Sequence, residues 1–176
     1  MSGIDESREL IPVRIAVLTV SDTRTEETDT SGALLRDRAL AAGHSVPVKR
    51  IVPDERDAIE AALRDLVAND GIDVVIATGG TGITGRDVTP EAFEAVCEKE
   101  LPGFGELFRW ISFEKIGTSA IQSRATAGVA RGTYLFALPG STGACKDAWD
   151  GILGHQLDSR LRPCNFVEML PRLSER

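Results

Sequence analysis

The sequence is poor in the residues that build metal centres and disulfide frameworks. Its 176 residues include three cysteines and two histidines. Cys97, Cys145 and Cys164 are widely spaced and form no C-x-x-C pair, and neither His44 nor His155 stands at a metal-ligand spacing. These features argue against a zinc site, and they favour free thiols in a reducing compartment. We therefore expect no tightly bound metal cofactor.

Long apolar runs and an excess of positive charge are also missing. No apolar run approaches the length of about 20 residues that a membrane helix needs, and the polar N-terminus does not resemble a signal peptide. The net charge of −7 argues against nucleic-acid binding, which requires clustered Lys and Arg. The sequence predicts a cytoplasmic protein with no membrane or nucleic-acid partner. A small anionic ligand stays compatible with this charge, because a few local donors are enough to bind it.

What the sequence does contain is an alternation of strands and helices. Apolar runs rich in β-branched residues predict strands, and segments with helical periodicity follow them after short loops. The predicted strands are 14–20, 46–52, 74–77, 127–130 and 134–138, and the predicted helices are 31–42, 58–68, 89–98, 104–113 and 142–161. The last two strands predict a short antiparallel hairpin. We expect one α/β domain over 1–176, with helices on both sides of a mostly parallel sheet and a flexible tail over 1–12.

Small, polar and glycine residues directly follow three of the predicted strands. These segments are Ser21-Asp22-Thr23, Thr78–Thr89 and Pro139–Lys146. The carboxyl ends of parallel strands lie at one edge of a sheet, and ligands bind there where the strand order reverses. We therefore expect the three segments to converge on one site.

The middle segment begins with TGGTG (78–82), whose glycines allow positive φ and a close approach of a ligand to the backbone. Successive N–H groups in such a loop form a cradle for phosphate. Gly80, Gly82 and Gly85 also match G-x-G-x-x-G, but Arg86-Asp87 follows them instead of a helix, which argues against a dinucleotide fold. A tight strand-to-helix turn is the alternative interpretation.

Two carboxylates stand in the same region. Asp87 would repel a phosphate beside it unless a cation lay between them, and Mg²⁺ with carboxylate and phosphate oxygens meets that need. Helix capping or pairing with Arg86 is the alternative for Asp87. For Asp54, spacing alone favours ordinary capping of the next helix. Further candidate anion donors are Ser119, Arg124 and the small-residue loop Pro139-Gly140-Ser141, which opens a helix.

At these segments the chain resembles the MoaB/MogA family of molybdenum cofactor biosynthesis proteins. The matching stretches are VSDTR (20–24), VPDE (52–55), TGGTG (78–82), RDVTPE (86–91), PGFGE (102–106) and LPGSTGA (138–144). TGGTG alone is a modest signal, whereas the ordered set, over roughly residues 15–170, is specific. The end of the chain is similar to the MoaB branch.

This resemblance implies a three-layer, Rossmann-like α/β/α fold and a homotrimer or homohexamer. It also implies that Mg-ATP adenylylates molybdopterin: the terminal phosphate of molybdopterin attacks the α-phosphorus of ATP and pyrophosphate leaves. A molybdenum-insertion protein is an expected partner. The alternative is a non-catalytic molybdopterin-binding or scaffold protein of the same pathway.

The resemblance assigns roles to individual residues as well. Asp54 and Asp87 would be catalytic and would hold Mg²⁺. Thr78, Ser119 and Arg124 would lie on the molybdopterin side. The nucleotide site would comprise Ser21, Asp22, Gly79, Gly80, Thr81, Gly82, Pro139, Gly140 and Ser141.

Overall fold

The structure, a computed structural model, describes residues 3–175, and its elements follow the predicted alternation. The strands are β1 (Gly3–Ile4), β2 (Arg14–Val20), β3 (Ser45–Val52), β4 (Val74–Thr78), β5 (Lys99–Glu100), β6 (Thr126–Ala130), β7 (Thr133–Leu138) and β8 (Leu161–Arg162). The α-helices are α1 (Thr30–Ala41), α2 (Arg56–Val67), α3 (Thr89–Val96), α4 (Pro102–Ile116), α5 (Thr142–Ala148), α6 (Gly154–Gln156) and α7 (Phe166–Met169). Two 3₁₀ turns cover Gly117–Gln122 and Leu170–Arg172, and a π-helical segment covers Trp149–Leu153.

Six strands form the main sheet in the order β3-β2-β4-β7-β6-β5. β3, β2, β4 and β7 are parallel, whereas β6 and β5 pair antiparallel with their neighbours. The predicted hairpin of β6 and β7 is confirmed. From β2 the chain passes to β3 on one side and then to β4 on the other, so the strand order reverses between β2 and β4. The ligand edge of the sheet is therefore at the carboxyl ends of these two strands.

Helices cover both faces of the sheet because its central strands are apolar on both sides. Side chains alternate along a strand: in β2, Ile15 and Val17 pack with residues of α1, α4 and α5, while Ala16 and Leu18 pack with residues of α2 and α3. This arrangement confirms the predicted three-layer α/β/α architecture. Within residues 3–175, no helix has the length and apolar character needed to cross a membrane.

Residues 3–12 are held against the C-terminal part of the chain, which corrects the prediction of a flexible tail over 1–12. β1 pairs antiparallel with β8. Arg8 donates to the carbonyl of Ser159 over 2.8 Å and to the Glu168 carboxylate over 2.6 Å. Ser159 and Glu168 are 151 and 160 positions from Arg8 in the chain, so no local pattern indicated them. The predicted tail also includes Met1 and Ser2, which lie outside the described residues.

The prediction of one regular helix over Thr142–Leu161 is wrong, because the helix is interrupted and ends earlier. α5 ends at Ala148, the π-helical segment follows, and α6 ends at Gln156. Gly151 and Gly154 lie in this stretch, and glycine lowers helical stability. A Cβ added to Gly151 would lie 2.8 Å from Cδ1 of Ile111, so the glycine there allows close packing against α4.

Candidate functional site

The segments after β2, β4 and β7 meet at the carboxyl edge of the sheet, as predicted. Gly79 lies between the other two segments: its N–H donates to the carbonyl of Leu138 over 2.9 Å, and a side chain there would collide with the carbonyl of Val20. A Cβ added to Gly140 would lie 3.3 Å from Cα of Gly79. Gly79 and Gly80 also have φ of +111° and +64°. Glycine is therefore required by space and by conformation.

Thr89 closes one side of the glycine loop, which we define as residues 79–82. Its buried hydroxyl donates to the carbonyl of Gly79 over 2.8 Å, and its N–H donates to the carbonyl of Gly80 over 3.0 Å. Thr89 does not cap α3, because Val88 is the N-cap and no side chain forms a cap hydrogen bond there. The Thr89 hydroxyl is thus used to hold the loop.

Arg124 closes the other side of the glycine loop from the segment before β6. Its N–H donates to the carbonyl of Thr81 over 2.9 Å, and its Nε donates to the carbonyl of Gly82 over 2.7 Å. All four carbonyl oxygens of the loop are therefore bound by Thr89 or Arg124. Among residues 3–175, no acceptor is found for the N–H groups of Gly80 and Thr81. The loop can offer these donors to an anion.

Asp54 and Asp87 both lie against the glycine loop. A Cβ added to Gly80 would lie 3.0 Å from Oδ1 of Asp54, and a Cβ added to Gly82 would lie 2.7 Å from Oδ2 of Asp87. Asp87 also accepts the N–H of Thr84 over 2.9 Å and its hydroxyl over 2.6 Å. The structure therefore brings together the two acids that the family resemblance singled out, and it gives Asp87 a part in shaping the loop.

The two carboxyl groups have opposite pKa shifts. Partial burial raises the pKa of Asp54, and the negative charges of Asp22 and Asp87 raise it further, whereas the nearby Arg86 lowers it. Burial also raises the pKa of Asp87, but hydrogen bonds, led by those from Thr84, outweigh it and leave that pKa lowered. Asp87 is thus stabilised as a carboxylate, while ionised Asp54 is opposed by its surroundings.

A divalent cation would relieve the repulsion between these acids. In the described part of the chain, no three His, Cys, Asp or Glu side chains gather into a group that could hold a metal ion. A cation at Asp54 and Asp87 would therefore need oxygen ligands from elsewhere. Two carboxylates beside free N–H donors suit Mg²⁺ that is also bound by phosphate oxygens. The residues present fit that ion.

Arg86 pairs with Asp22, not with Asp87 as the alternative interpretation had it. Its guanidinium forms an ion pair with one carboxylate oxygen of Asp22, and the other oxygen accepts the N–H of Asp54 over 3.0 Å. This connects the segment after β2 to the segments after β3 and β4. The hydroxyl of Ser21 accepts the N–H groups two and three residues further on, over 3.2 and 3.1 Å, so it shapes its own turn.

The loop Pro139-Gly140-Ser141 is held by the start of α1. The hydroxyl of Ser31 donates to the carbonyl of Gly140 over 2.8 Å. Ser141 is the N-cap of α5, and its hydroxyl accepts the N–H of Ala144 over 3.2 Å. These bonds fix the conformation of the loop, and Gly140 places it beside Gly79. Its predicted contact with a nucleotide stays a prediction.

Two of the three residues predicted on the molybdopterin side do not contact the glycine loop with their side chains. Thr78 is 1% exposed, and its hydroxyl donates to the carbonyl of Pro139 over 2.9 Å. The hydroxyl thus joins β4 to the segment after β7, and the predicted contact of Thr78 with molybdopterin stays a prediction. Ser119 is exposed on the 3₁₀ turn 117–122, and within residues 3–175 it forms no hydrogen bond with the glycine loop. Its predicted contact with molybdopterin stays a prediction.

No individual role at the site was predicted for Arg86, Thr89 or Glu91, although the first two lie in the segment Thr78–Thr89. Glu91 forms an ion pair with Arg124. The side-chain partners of these three residues lie between 10 and 64 positions away, so no local spacing indicated the contacts. The one available signal was that all three fall within the matching stretch RDVTPE (86–91).

Comparison with known proteins finds one family over most of the chain. A family described as a "probable molybdopterin binding domain" matches residues 16–159. Molybdenum cofactor biosynthesis protein B of Escherichia coli is 56% identical over 160 residues, which cover 91% of this chain and 94% of that protein. The matched residues include the three segments that meet at the site.

Solved structures have the same fold. A crystal structure of a molybdenum cofactor biosynthesis protein B matches with a TM-score of 0.86 and 40% identity, over 96% of this chain and 100% of that chain. The tungsten cofactor synthesizing protein MoaB from Pyrococcus furiosus matches with a TM-score of 0.76 and 35% identity, over 93% and 98% of the two chains.

We predict that Gly80→Ala lowers the free energy of unfolding by about 1–3 kcal/mol. Its φ is +64°, and the new methyl group would press on the Thr89 hydroxyl. Urea denaturation followed by circular dichroism measures the change. Gly85→Ala is the matched control in the same segment, because a Cβ there meets no heavy atom within 4 Å. It should change stability little or raise it slightly. Equal losses in the two variants would contradict the role given to Gly80.

The raised pKa of Asp54 predicts that its charge destabilises the fold near neutral pH. The folded state binds this proton more tightly than the unfolded chain, so the penalty is full above the folded pKa and absent below the ordinary value of 3.8. Asp54→Asn should therefore raise the free energy of unfolding at neutral pH in buffer with a chelator, and the gain should vanish in acid. The exposed Asp70 provides the control, Asp70→Asn, which should have little effect. A gain that persists in acid would show that charge is not the cause.

Proposed function

The chain belongs to the molybdopterin-binding-domain family that includes the molybdenum cofactor biosynthesis proteins B, and we propose that it adenylylates molybdopterin with Mg-ATP. Family membership supports molybdopterin as the ligand and cofactor biosynthesis as the pathway. The observation that carries the finer proposal is the placement of Asp54 and Asp87 against a loop with free N–H groups. That combination suits a nucleotide phosphate chain with its Mg²⁺.

In this proposal the glycine loop and the loop at Pro139-Gly140-Ser141 bind the phosphates of ATP. A terminal phosphate oxygen of molybdopterin forms a bond to the α-phosphorus. The bond from the α-phosphorus to its bridging oxygen breaks, and pyrophosphate leaves. Fixed N–H donors stabilise the charge that develops on the phosphoryl oxygens, so the protein contributes positioning and electrostatics.

Asp54 and Asp87 would hold Mg²⁺, which when bound neutralises charge on the phosphates. Their opposite pKa shifts mean that the two carboxyl groups differ in how readily they ionise. Asp87 is kept ionised by its hydrogen bonds from Thr84, whereas ionisation of Asp54 is opposed by burial and by neighbouring acids. Because the cation favours the ionised form, its binding should lower the pKa of Asp54.

A second candidate is a non-catalytic protein that binds molybdopterin and passes it to a molybdenum-insertion partner. One observation favours it: Asp87 accepts two hydrogen bonds from Thr84, at 2.9 and 2.6 Å. A carboxylate used in this way contributes to the shape of the loop even without a metal ion. The two candidates differ in whether bound ATP is consumed.

We expect purified protein to release pyrophosphate from Mg-ATP only when molybdopterin is present. Asp87→Asn should reduce the rate by about 100-fold or more, because a positioned charge at the phosphates is lost. Asp70→Asn is the control and should keep the rate, because Asp70 is exposed and precedes β4, at the opposite end of that strand from the loop. Pyrophosphate assays and molybdopterin binding should be measured on the same samples. Binding of molybdopterin without pyrophosphate release would support the non-catalytic candidate.

We also propose a homotrimer or homohexamer, formed through apolar side chains of α4 and the turn after it. Trp110 is 67% exposed, and Phe113, Ile116 and Ile121 are 56%, 57% and 84% exposed. A cluster of large exposed apolar side chains typically marks an interface between proteins. The family resemblance supplies the expected number of subunits.

Trp110→Glu should shift the protein to a smaller species, because a charge in an apolar interface is costly to bury. Size-exclusion chromatography with light scattering measures the mass. Leu40→Glu serves as the control: Leu40 is 51% exposed, but on α1. A wild-type protein that is a monomer would contradict this proposal and leave the chemistry at the glycine loop unaffected.

A further inference from the structure

All three nitrogen atoms of the Arg124 guanidinium bind acceptors within the protein. Its Nε donates to the carbonyl of Gly82, its Nη2 donates to the carbonyl of Asp87 over 2.6 Å, and its Nη1 pairs with the carboxylate of Glu91. We propose that Arg124 is a positioning residue that orients the glycine loop for phosphate, and that it is not a direct contact of molybdopterin. This inference rests on the proposed function for its ligand, the phosphates of a nucleotide.

The effect on the loop follows from the planar trans peptide bond. The carbonyl of one residue and the N–H of the next point in opposite directions. When Arg124 binds the carbonyls of Thr81, Gly82 and Asp87, it turns the N–H groups of residues 82, 83 and 88 away from itself. The carboxylate of Asp87 lies against Gly82, with Oδ2 2.7 Å from the position of an added Cβ, and hydrogen bonding by the Gly82 N–H is among the causes that lower the pKa of Asp87.

Holding these carbonyl oxygens matters because an anion site fails when they face the ligand. A carbonyl oxygen repels phosphate, whereas an N–H attracts it. Thr89 binds the carbonyls of Gly79 and Gly80, and Arg124 binds the next two. The carbonyl of Thr81 is bound by the backbone N–H of Arg124, which a side-chain substitution keeps. Loss of the guanidinium would instead free the carbonyls of Gly82 and Asp87, so that the end of the glycine loop loses the bonds that set its direction.

The directions of the donors are the essential property of Arg124, more than its charge. The side chains of Arg124 and Glu91 are 34% and 39% exposed, so water screens the attraction between them. A guanidinium presents planar donors in a fixed fork and can serve three acceptors in set directions, whereas the ammonium group of lysine is a compact point charge. Lysine should therefore not replace arginine here.

Binding of Mg-ATP in the absence of any pterin separates positioning from direct contact. Arg124→Ala and Arg124→Lys should each weaken ATP binding by about 10- to 100-fold, the range typical when support behind a ligand site is removed. In steady state, the KM for ATP should rise and kcat should fall, while the KM for molybdopterin changes little. If ATP binding is unchanged and only molybdopterin binding weakens, Arg124 is a direct contact and the proposal is wrong. Full rescue by lysine would also overturn it.

Arg8→Ala is the matched control. Arg8 makes the same two kinds of bond, to a carbonyl and to the carboxylate of Glu168, and its side chain is 28% exposed. It joins the N-terminal segment, residues 3–12, to α7, away from the glycine loop. Thermal unfolding should show a loss of stability in Arg8→Ala as well, whereas ATP affinity should keep its wild-type value. Equal loss of ATP affinity in this variant would mean that general destabilisation explains the result.

Hydrogen exchange without ligand tests the positioning independently of adenylylation. The amides of residues 82–88 should exchange about tenfold faster in Arg124→Ala than in wild type, because local opening becomes easier. In Arg8→Ala their exchange should not change. If wild type binds no ATP, the proposed function fails but this measurement still decides the role of Arg124. Unchanged exchange in Arg124→Ala overturns the inference.

Discussion

A backbone loop can bind an anion only when its own carbonyl oxygens are bound elsewhere. In this protein Thr89 and Arg124 meet that requirement, with two carbonyls of the glycine loop held by each. Thr89 opens α3 and Arg124 precedes β6, so both the helix layer and the sheet must be in place before the loop takes its shape. The site therefore depends on the whole α/β/α arrangement and not on the glycines alone.

The acids beside the loop show how one site holds carboxylates of different character. Asp87 is stabilised by local hydrogen bonds, and Asp54 is destabilised by burial and by like charges. In the proposed function, a cation bound by this pair would be stabilised electrostatically, because it would relieve the repulsion that burial and neighbouring acids impose on Asp54. Arg86 forms an ion pair with a third acid, Asp22. The charges of Asp22, Arg86 and Asp87, which follow β2 and β4, all affect the pKa of Asp54, which follows β3.

Much of this could be predicted from the sequence. The apolar runs indicated β2, β4 and β7, and the residues after them indicated one edge of the sheet. The glycine loop and Asp87 were visible because their spacing is local. Asp54 was a different case: its own spacing favoured a helix cap, and only the family resemblance raised its importance. Its carboxylate packs against Gly80, a contact between distant parts of the chain. Local spacing therefore could not indicate that Asp54 belongs to the site.

The sequence by itself determined the order of the five longer strands and of helices α1 to α5, the hairpin of β6 and β7 and the chemistry available at the carboxyl edge, because these depend on neighbours in the chain. It did not indicate the two-residue strands β1, β5 and β8 or the short helix α7. The tertiary structure alone decided where the side chains of Thr78, Arg86 and Arg124 point. It also decided that residues 3–12 pack on the C-terminal part and that the helix predicted over 142–161 contains a π-helical segment and ends at Gln156. In most of these cases, the partners are tens of positions or more apart, and a hydrogen bond depends on a few tenths of an ångström that chain folding, not local periodicity, sets.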